Sequence, residues 1–535
     1  MFVKKLISLS LFLCAASACC AQDSLLLRDF QFVKQRNPWL TAPCAAGLTQ
    51  YAAPNIAEAE AGISYADGGL TDYWQPPKAL QATVHAEAFQ RLSARTVVYG
   101  AISYDNLSGR NMAGSAFIDP TRKPFDIVED SLNNTGRKHR DTYLLTGAIG
   151  VELWKGYSLG ARVSYTAVNY AKYKDLRHSN KLMDLQLSVG ATGEVTPWLT
   201  VGANYLYHRN TESITFSTYG KEDRVYKSLI SYGAFMGRVE QFGTTGYTES
   251  GRELPLVEDR HGGSVQVEWK PTAQWAFYNC FTLSHGTGYY GRKSPYTVTF
   301  TNHKRDLFSY QGTLQYRAAN SEHRLNMAVS REKLVNNVET YRELTNANGA
   351  HYYQYYDPVK AGDKKWTDIS VSYTADLMVN GELPTWTLTA GIDWRQRDVT
   401  GIVYPYYRTQ KLNTTLVYAS GTRHIVLTGS VLSLTAHLSY QGGSGTPYED
   451  GLYQTPSSQD RTPPTMEAWL FREYRLLTAK QYGMGANVKY AFVLPKTRLT
   501  AFVKGGADYA FTNTSNEYTD GNRRLRLSMA VGCTF

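Results

Sequence analysis

Three tyrosine clusters are the residues in this chain best suited to holding another molecule. His351-Tyr352-Tyr353-Gln354-Tyr355-Tyr356-Asp357 is the densest, and Tyr404-Pro405-Tyr406-Tyr407 and Tyr289-Tyr290 repeat the pattern. A tyrosine ring pairs an apolar face with a hydroxyl at its edge, which suits stacking on a sugar ring or an amphipathic ligand. The plainer reading is an aromatic girdle with loops that pack on themselves, and both stay open from sequence. Groups that would make or break bonds are poorly represented. No serine sits in a Gly-x-Ser-x-Gly elbow. Neither a His-Glu-x-x-His metal helix nor a phosphate-binding Gly-rich Lys loop occurs. The 11 histidines are scattered, with His85, His208, His285 and His437 falling inside or at the ends of expected strands. The expectation is a protein without catalytic activity, metal or cofactor.

Charged residues are placed more regularly. Arg162, Asp184, Glu194, Asp393, Arg395, Lys489, Lys504, Asp508 and Arg526 each occupy the polar register of a segment whose other register is apolar. On the wall of a wet lumen, such mixed signs would set up a transverse field or hold a plug by ion pairs, without preferring anions or cations. The whole chain has 56 basic and 46 acidic residues, a net charge of +10 dispersed through turns and loops. Dispersed charge argues against a nucleic-acid face and fits affinity for anionic lipopolysaccharide. Past residue 21 only Cys44, Cys280 and Cys533 remain, neither a disulfide framework nor a zinc spacing.

These registers belong to β-strands. In Arg523 to Phe535, Leu525, Leu527, Met529, Val531, Cys533 and Phe535 alternate with Arg526, Ser528, Ala530, Gly532 and Thr534. Strict period-two alternation suits a strand with lipid on one face and a wet lumen on the other. Met183 to Val195, Trp386 to Arg395 and Tyr482 to Phe492 repeat it. Mean hydropathy is −0.38, yet the chain holds 40 Tyr and 10 Trp, residues that favour a membrane–water boundary. Lys4, Lys5 and the apolar run Leu6 to Ala16 read as a secretory signal peptide over residues 1–21, cut between Ala21 and Gln22. A lipoprotein signal at Cys19 is the rival, lacking the usual leucine three residues before the cysteine. Eleven apolar residues are too few for a membrane helix, which needs roughly twenty.

Tight turns are expected at Lys155-Gly156, Thr196-Pro197, Lys270-Pro271-Thr272, Asn380-Gly381, Ser420-Gly421 and Leu494-Pro495-Lys496. Long polar segments near 106–139, 210–260, 286–305, 336–365, 398–409 and 441–480 alternate with them. This is the rhythm of periplasmic turns and extracellular loops. Trp154, Trp198, Trp269, Trp275 and Trp386 flank the short turns as a girdle. The fold class is therefore an all-β transmembrane antiparallel barrel, residues 56–535. It has about 18 strands starting near Ile56, with 16 as the alternative, and it sits in the bacterial outer membrane.

Residues 22–55 are expected to be a plug or a periplasmic segment on the barrel rim. Asp23 and Ser24 would cap a short helix carrying Leu26, Phe30 and Val33, ended by Asn37-Pro38, with Trp39 in the apolar stretch beyond. The segment Asn37-Pro38-Trp39-Leu40 through Ala46-Gly47-Leu48 faintly resembles the N-terminal hatch of outer-membrane transporters of hydrophobic compounds. There the residue after Asn-Pro is small, and here it is Trp39. Taken with the signal peptide, the Tyr-rich loops and the terminal Thr534-Phe535, the chain more closely resembles a group of porin-like outer-membrane barrels of unassigned role from Bacteroidota. The resemblance implies location and fold, and no function. It also implies that the terminal aromatic Phe535 is read by the barrel assembly machinery. The function expected is passive passage of a small solute. The alternatives are a hatch-bearing transporter of hydrophobic compounds and a non-conducting interaction barrel of an envelope complex. The partners expected are outer-membrane lipid, lipopolysaccharide and the assembly machinery.

Overall fold

The computed structural model describes residues 28–129, 134–220, 224–243, 245–495, 497 and 499–535. The signal segment, Cys19, Asp23, Ser24, Leu26 and Lys496 lie outside the described residues. Eighteen antiparallel strands close into one barrel. Its first strand, Ile56–Asp67, pairs with Lys78–Ser93 on one side and with the last strand, Arg523–Thr534, on the other. The count and the starting residue agree with the sequence reading. Phe535 finishes the seam by exchanging both backbone hydrogen bonds with Ala57, at 2.9 and 2.7 Å.

Alternation decides which side each residue faces. Leu525, Leu527, Met529 and Val531 stand exposed on the outer wall, whereas Arg526 and Ser528 line the interior. Val189, Leu283 and Leu438 are each more than 60% exposed in the same outer belt. An apolar surface of that extent is stable only against lipid. Trp154, Trp198, Trp269 and Trp275 stand exposed beside the tight turns, as a girdle requires.

The turns at Lys155-Gly156, Thr196-Pro197, Lys270-Pro271-Thr272 and Asn380-Gly381 connect the strands expected. Ser420-Gly421 does not: it lies inside the strand Tyr406–Leu427, and the turn falls at Thr428-Gly429, where Gly429 has φ +72°. Two expected loops are also strands. Trp275–Ser294 and Thr297–Arg317 meet at Pro295-Tyr296, and Trp386–Val403 meets Tyr406–Leu427 at Tyr404-Pro405. The physical reason is height. Strands grow from 12 residues at the seam to 23 in Ser430–Leu452. At ~3.3 Å per residue and a tilt of ~40° the longest rises roughly 58 Å, about twice the ~25 Å apolar band. Above the band neither face must be apolar, so the alternation disappears while the pairing continues.

Other elements are added to this wall. A three-stranded sheet (Asp126–Glu129, Lys227–Gly233, Met236–Gln241), a hairpin (Tyr341–Thr345 with His351–Tyr355) and a helix (Glu467–Thr478) lie at the loop end. At the turn end are a helix, Phe30–Gln35, and two 3-10 segments, Pro38–Leu40 and Ala45–Gln50.

Candidate functional site in the lumen

Residues 28–55 fill the turn end of the lumen. Asp29 caps the helix by accepting from the Phe32 amide at 2.8 Å. The described helix thus starts later than the cap expected at Asp23 and Ser24. Phe30 and Val33 are buried on it as expected, and Asn37 caps the next turn through the Trp39 amide. Trp39 is fully buried. Its indole N–H donates to Glu268 at 2.7 Å, and its ring meets Tyr278 edge-on at 5.1 Å. A Cβ at Gly47 or Gly202 would press on that ring. Phe30 and Tyr51 both stack on Phe89 of the wall. Arg162 donates to the Ala42 carbonyl, Ser188 to that of Pro43, and Gln315 and Arg317 to that of Arg36. Lys34–Glu87 (2.5 Å), Arg36–Glu322 (2.6 Å) and Arg28–Glu382 add ion pairs. The segment packs inside the barrel wall at its turn end, the position of a hatch. Cys44 and Cys280 are both buried free thiols, one on the hatch and one on the wall, and burial pushes the Cys44 thiol up.

The loop end is closed too. Phe117, Phe125, Ile127, Ile230 and Tyr247 form an apolar core against inward residues of the wall, including Ile214, Leu254, Tyr290 and Phe300. A second cluster joins Tyr73, Val128, Leu229 and Phe235 to Trp469 and Leu470 of the helix Glu467–Thr478. The Trp469 indole donates to the Glu129 carbonyl at 3.0 Å. Arg397 holds Glu473 by two hydrogen bonds of 2.7 Å, the bidentate arrangement that fixes orientation. Tyr73 and Ser115 donate to the buried Asp126, whose carboxyl burial pushes up to about 6. Burial, and after it the charge of Glu473, push the Asp72 carboxyl up as well.

Between hatch and cap runs a ladder of linked charged side chains and one histidine. Asp184 pairs with His208 (2.6 Å), His208 with Arg260, Arg260 with Glu258 (3.2 Å) and Glu258 with Arg305 (2.8 Å). Arg305 continues to Glu332, Glu332 to Arg122 of the cap (2.8 Å), Arg122 to Asp368, and Asp368 to Arg395 (2.7 Å). Two wall glycines, Gly286 and Gly288, leave the space that Arg260 and His303 occupy. On the opposite wall the hatch leaves an open cavity of about 480 Å³, bounded by its own helix, by the strands between Trp386 and Thr534, by Glu58, Glu60 and Ser64 of the first strand, by Thr83, and by Arg324 and Asp376.

The expected lumen residues divide between these features. Arg162 serves the hatch; Asp184 and Arg395 end the ladder; Asp393 accepts from Ser370; Lys489, Lys504 and Arg526 line the cavity; Asp508 pairs with His437. Glu194 sits at the turn end beside Gly156. The tyrosine set is split. Tyr290 is core, donating to the Tyr247 carbonyl at 2.8 Å. Tyr289 lies on the same strand under Lys293. Tyr352, Tyr353 and Tyr355 form part of the outer hairpin, with Tyr355 hydrogen-bonded to Thr297 and Thr299. Tyr356 and Tyr404 are more than half exposed, and Tyr406 begins the strand that follows Tyr404-Pro405. Tyr404 and Tyr407 pack on Tyr453, at 6.3 and 4.8 Å. Sequence reasoning missed the cap, although Phe117, Phe125, Leu229-Ile230 and Trp469-Leu470 are apolar signals inside segments read as surface loops.

Residues 45–535 match the family described as "Family of unknown function (DUF6850)", and the chain belongs to that family. No curated protein matches it. Similar solved structures include the outer membrane transporter YddB from Escherichia coli, with 7% identity over 89% of this chain and 81% of that chain and a TM-score of 0.40. The FrpB iron transporter from Neisseria meningitidis has 9% identity over 92% and 83%, TM-score 0.40. The copper transporter OprC has 9% identity over 90% and 81%, TM-score 0.37. Likeness at that level carries no argument about cargo.

Proposed function

We propose that this member of the DUF6850 family is a gated transporter of the bacterial outer membrane, with its turn end in the periplasm and its N-terminal segment acting as a hatch. The sequence resemblance to barrels of Bacteroidota is part of the same reading. One observation carries it: an 18-stranded barrel, wide enough for an aqueous channel, is closed at both ends by its own chain, through discrete polar contacts. A barrel for passive diffusion has no use for two stoppers. The hatch of the alternative expectation fits better than the passive channel. The chamber between the stoppers is lined by charged and hydroxyl side chains, and every neighbouring strand pair of the wall is hydrogen-bonded among the described residues. The cargo we assign is accordingly a small polar solute moving through the lumen. Assembly machinery, lipid and lipopolysaccharide are the partners, and the barrel is not an enzyme.

Planar-bilayer recording tests the reading. The intact protein should be nearly silent, and removal of residues 28–51 together with the cap segments 113–134, 221–249 and 456–478 should give large, stable conductance steps. A silent double deletion that is still heat-modifiable would leave the barrel as an interaction component of the envelope.

A further inference from the structure

The cavity left beside the hatch is built for one kind of molecule. Between charged residues its wall side presents a run of uncharged polar groups: Thr422, Ser433, Thr435, Asn487 and Ser528 face it from four strands. Its hatch side presents Gln31 and Gln35, one helical turn apart on the helix Phe30–Gln35. The side chains of Gln31, Gln35, Asn487 and Ser528 have no hydrogen-bond partner within the described residues, so four donor–acceptor groups converge on the same empty space. The lining holds four carboxylates (Asp29, Glu58, Glu60, Asp376) and four cations (Arg324, Lys489, Lys504, Arg526), so its charges balance, and three of each are paired. Lys489 meets Glu58 at 3.6 Å, Lys504 meets Glu60, and Arg324 meets Asp376 at 2.6 Å. Lys489 and Lys504 also lie over the Phe502 ring, at 4.3 and 4.8 Å. A balanced lining of this kind gives no net attraction to a free cation or anion. A ligand that both gives and takes hydrogen bonds and carries no net charge needs none. At about 480 Å³ the cavity falls within the roughly 300–1,000 Å³ of small-molecule sites.

We propose that this cavity binds a neutral polyhydroxylated molecule, a saccharide of one or two rings, as the last station before the hatch. The proposal deepens the transporter reading and rests on it for the word "station". Hydroxyl and amide groups recognise a sugar because each supplies both halves of a hydrogen bond, and leaving such a group unpaired on binding is costly. Because Gln31 and Gln35 belong to the hatch helix, a bound sugar would touch wall and hatch at once. Occupancy would therefore change the contacts that seat the hatch.

The test is equilibrium dialysis of the purified full-length protein in detergent against radiolabelled maltose and glucose, with glucuronic acid and glucosamine as the anionic and cationic congeners of glucose. Maltose and glucose should be retained and the charged congeners should not. The variant Thr422→Val/Thr435→Val/Asn487→Ala keeps β-strand shape and volume at two of three positions, and it should bind maltose at least about tenfold more weakly. Gln31→Ala/Gln35→Ala lies on the hatch, away from barrel assembly, and should weaken it likewise, which guards against a misfolded wall variant. Equal or better retention of a charged congener overturns the proposal, as does maltose binding untouched by both variants or no maltose binding at all. The bilayer recording is independent: conductance without sugar binding sinks the site and leaves the transporter, and sugar binding to a barrel silent even when doubly deleted sinks the transporter and leaves the site.

Discussion

At the scale of single residues, two kinds of contact decide whether the lumen is shut. Trp39 combines a filled cavity with a hydrogen bond to a buried carboxylate. Trp39→Ala should cost the seated hatch ~3–5 kcal/mol, the usual loss for a buried tryptophan. Cys44 and Cys280 report it without any engineered cysteine, since both thiols are buried where hatch and wall meet. Maleimide should label them slowly in the native protein and at least about tenfold faster in Trp39→Ala; equal rates would mean that Trp39 does not hold the hatch. The cap depends on pH. Asp126, and Asp72 beside Glu473, Arg397 and Arg472, have carboxyls raised by burial above their ordinary range near ~4. A raised carboxyl binds more protons folded than unfolded. Its contribution is therefore fully present below about 4 and is lost as pH climbs through its folded value, about 6 for Asp126. Hydrogen exchange in 68–77 and 467–478, corrected for intrinsic rates, should show a tighter cap at pH 5 than at pH 8. Asp126→Asn should flatten that difference, and an unchanged slope would remove Asp126 as its source.

At the scale of elements, hatch and cap are stoppers in series, and stoppers in series do not act additively. Deleting residues 28–51 alone should leave conductance low, because the core around Phe125 and Tyr247 still closes the loop end. Deleting the cap segments 113–134, 221–249 and 456–478 without the hatch should leave it low because the hatch remains. Only the double deletion should conduct; a large step from either single deletion would show that one stopper is ornamental. How much of this was legible in the sequence depended on what each element faces. Strands crossing lipid announced themselves, because lipid outside and water inside force an alternation such as Leu525 to Val531. The same strands above the lipid lost it, so 286–305 and 398–409 read as loops although they are paired to their tips. Ser420-Gly421 read as a turn because a Ser-Gly pair signals chain reversal, whereas here Gly421 lies within a strand across from Leu388. The hatch was readable from Phe30, Val33 and Trp39 as apolar residues with no strand period. The open cavity was not readable, since Gln31, Thr422, Thr435 and Asn487 are far apart in sequence and ordinary alone. Only barrel closure brings them together.

At the scale of the whole molecule, everything above depends on one seam. An open 18-stranded sheet would expose two unpaired edges to lipid, where each unsatisfied backbone group is costly. The first and last strands close it over ten residue pairs, Glu58 with Thr534 through Asp67 with Leu525, and Phe535 adds its two bonds to Ala57. The seam strands are also the shortest, 12 residues each, which by the same rise and tilt spans roughly 30 Å and leaves little surplus over the apolar band. Loss of one pair therefore weighs more here than in the 23-residue strand Ser430–Leu452. Deleting Phe535 should lower the amount of heat-modifiable, membrane-inserted protein severalfold. Val531→Asp places a charge at a position half exposed to lipid and should do the same, at a cost below the ~2–4 kcal/mol of an arginine or lysine at the midplane. Val531→Leu, apolar on the same face, should not. Topology can be read in the same cells. An epitope after Gly349, at the open tip of the outer hairpin, should be reached by antibody on intact cells, and one after Gly381, at a tight turn, should not. Labelling at Gly381 would invert the barrel and with it the assignment of hatch and cap. Full insertion of both the truncated protein and the Val531→Asp variant would mean that the remaining strand pairings suffice to close the wall, and that Phe535 serves the seam only after assembly.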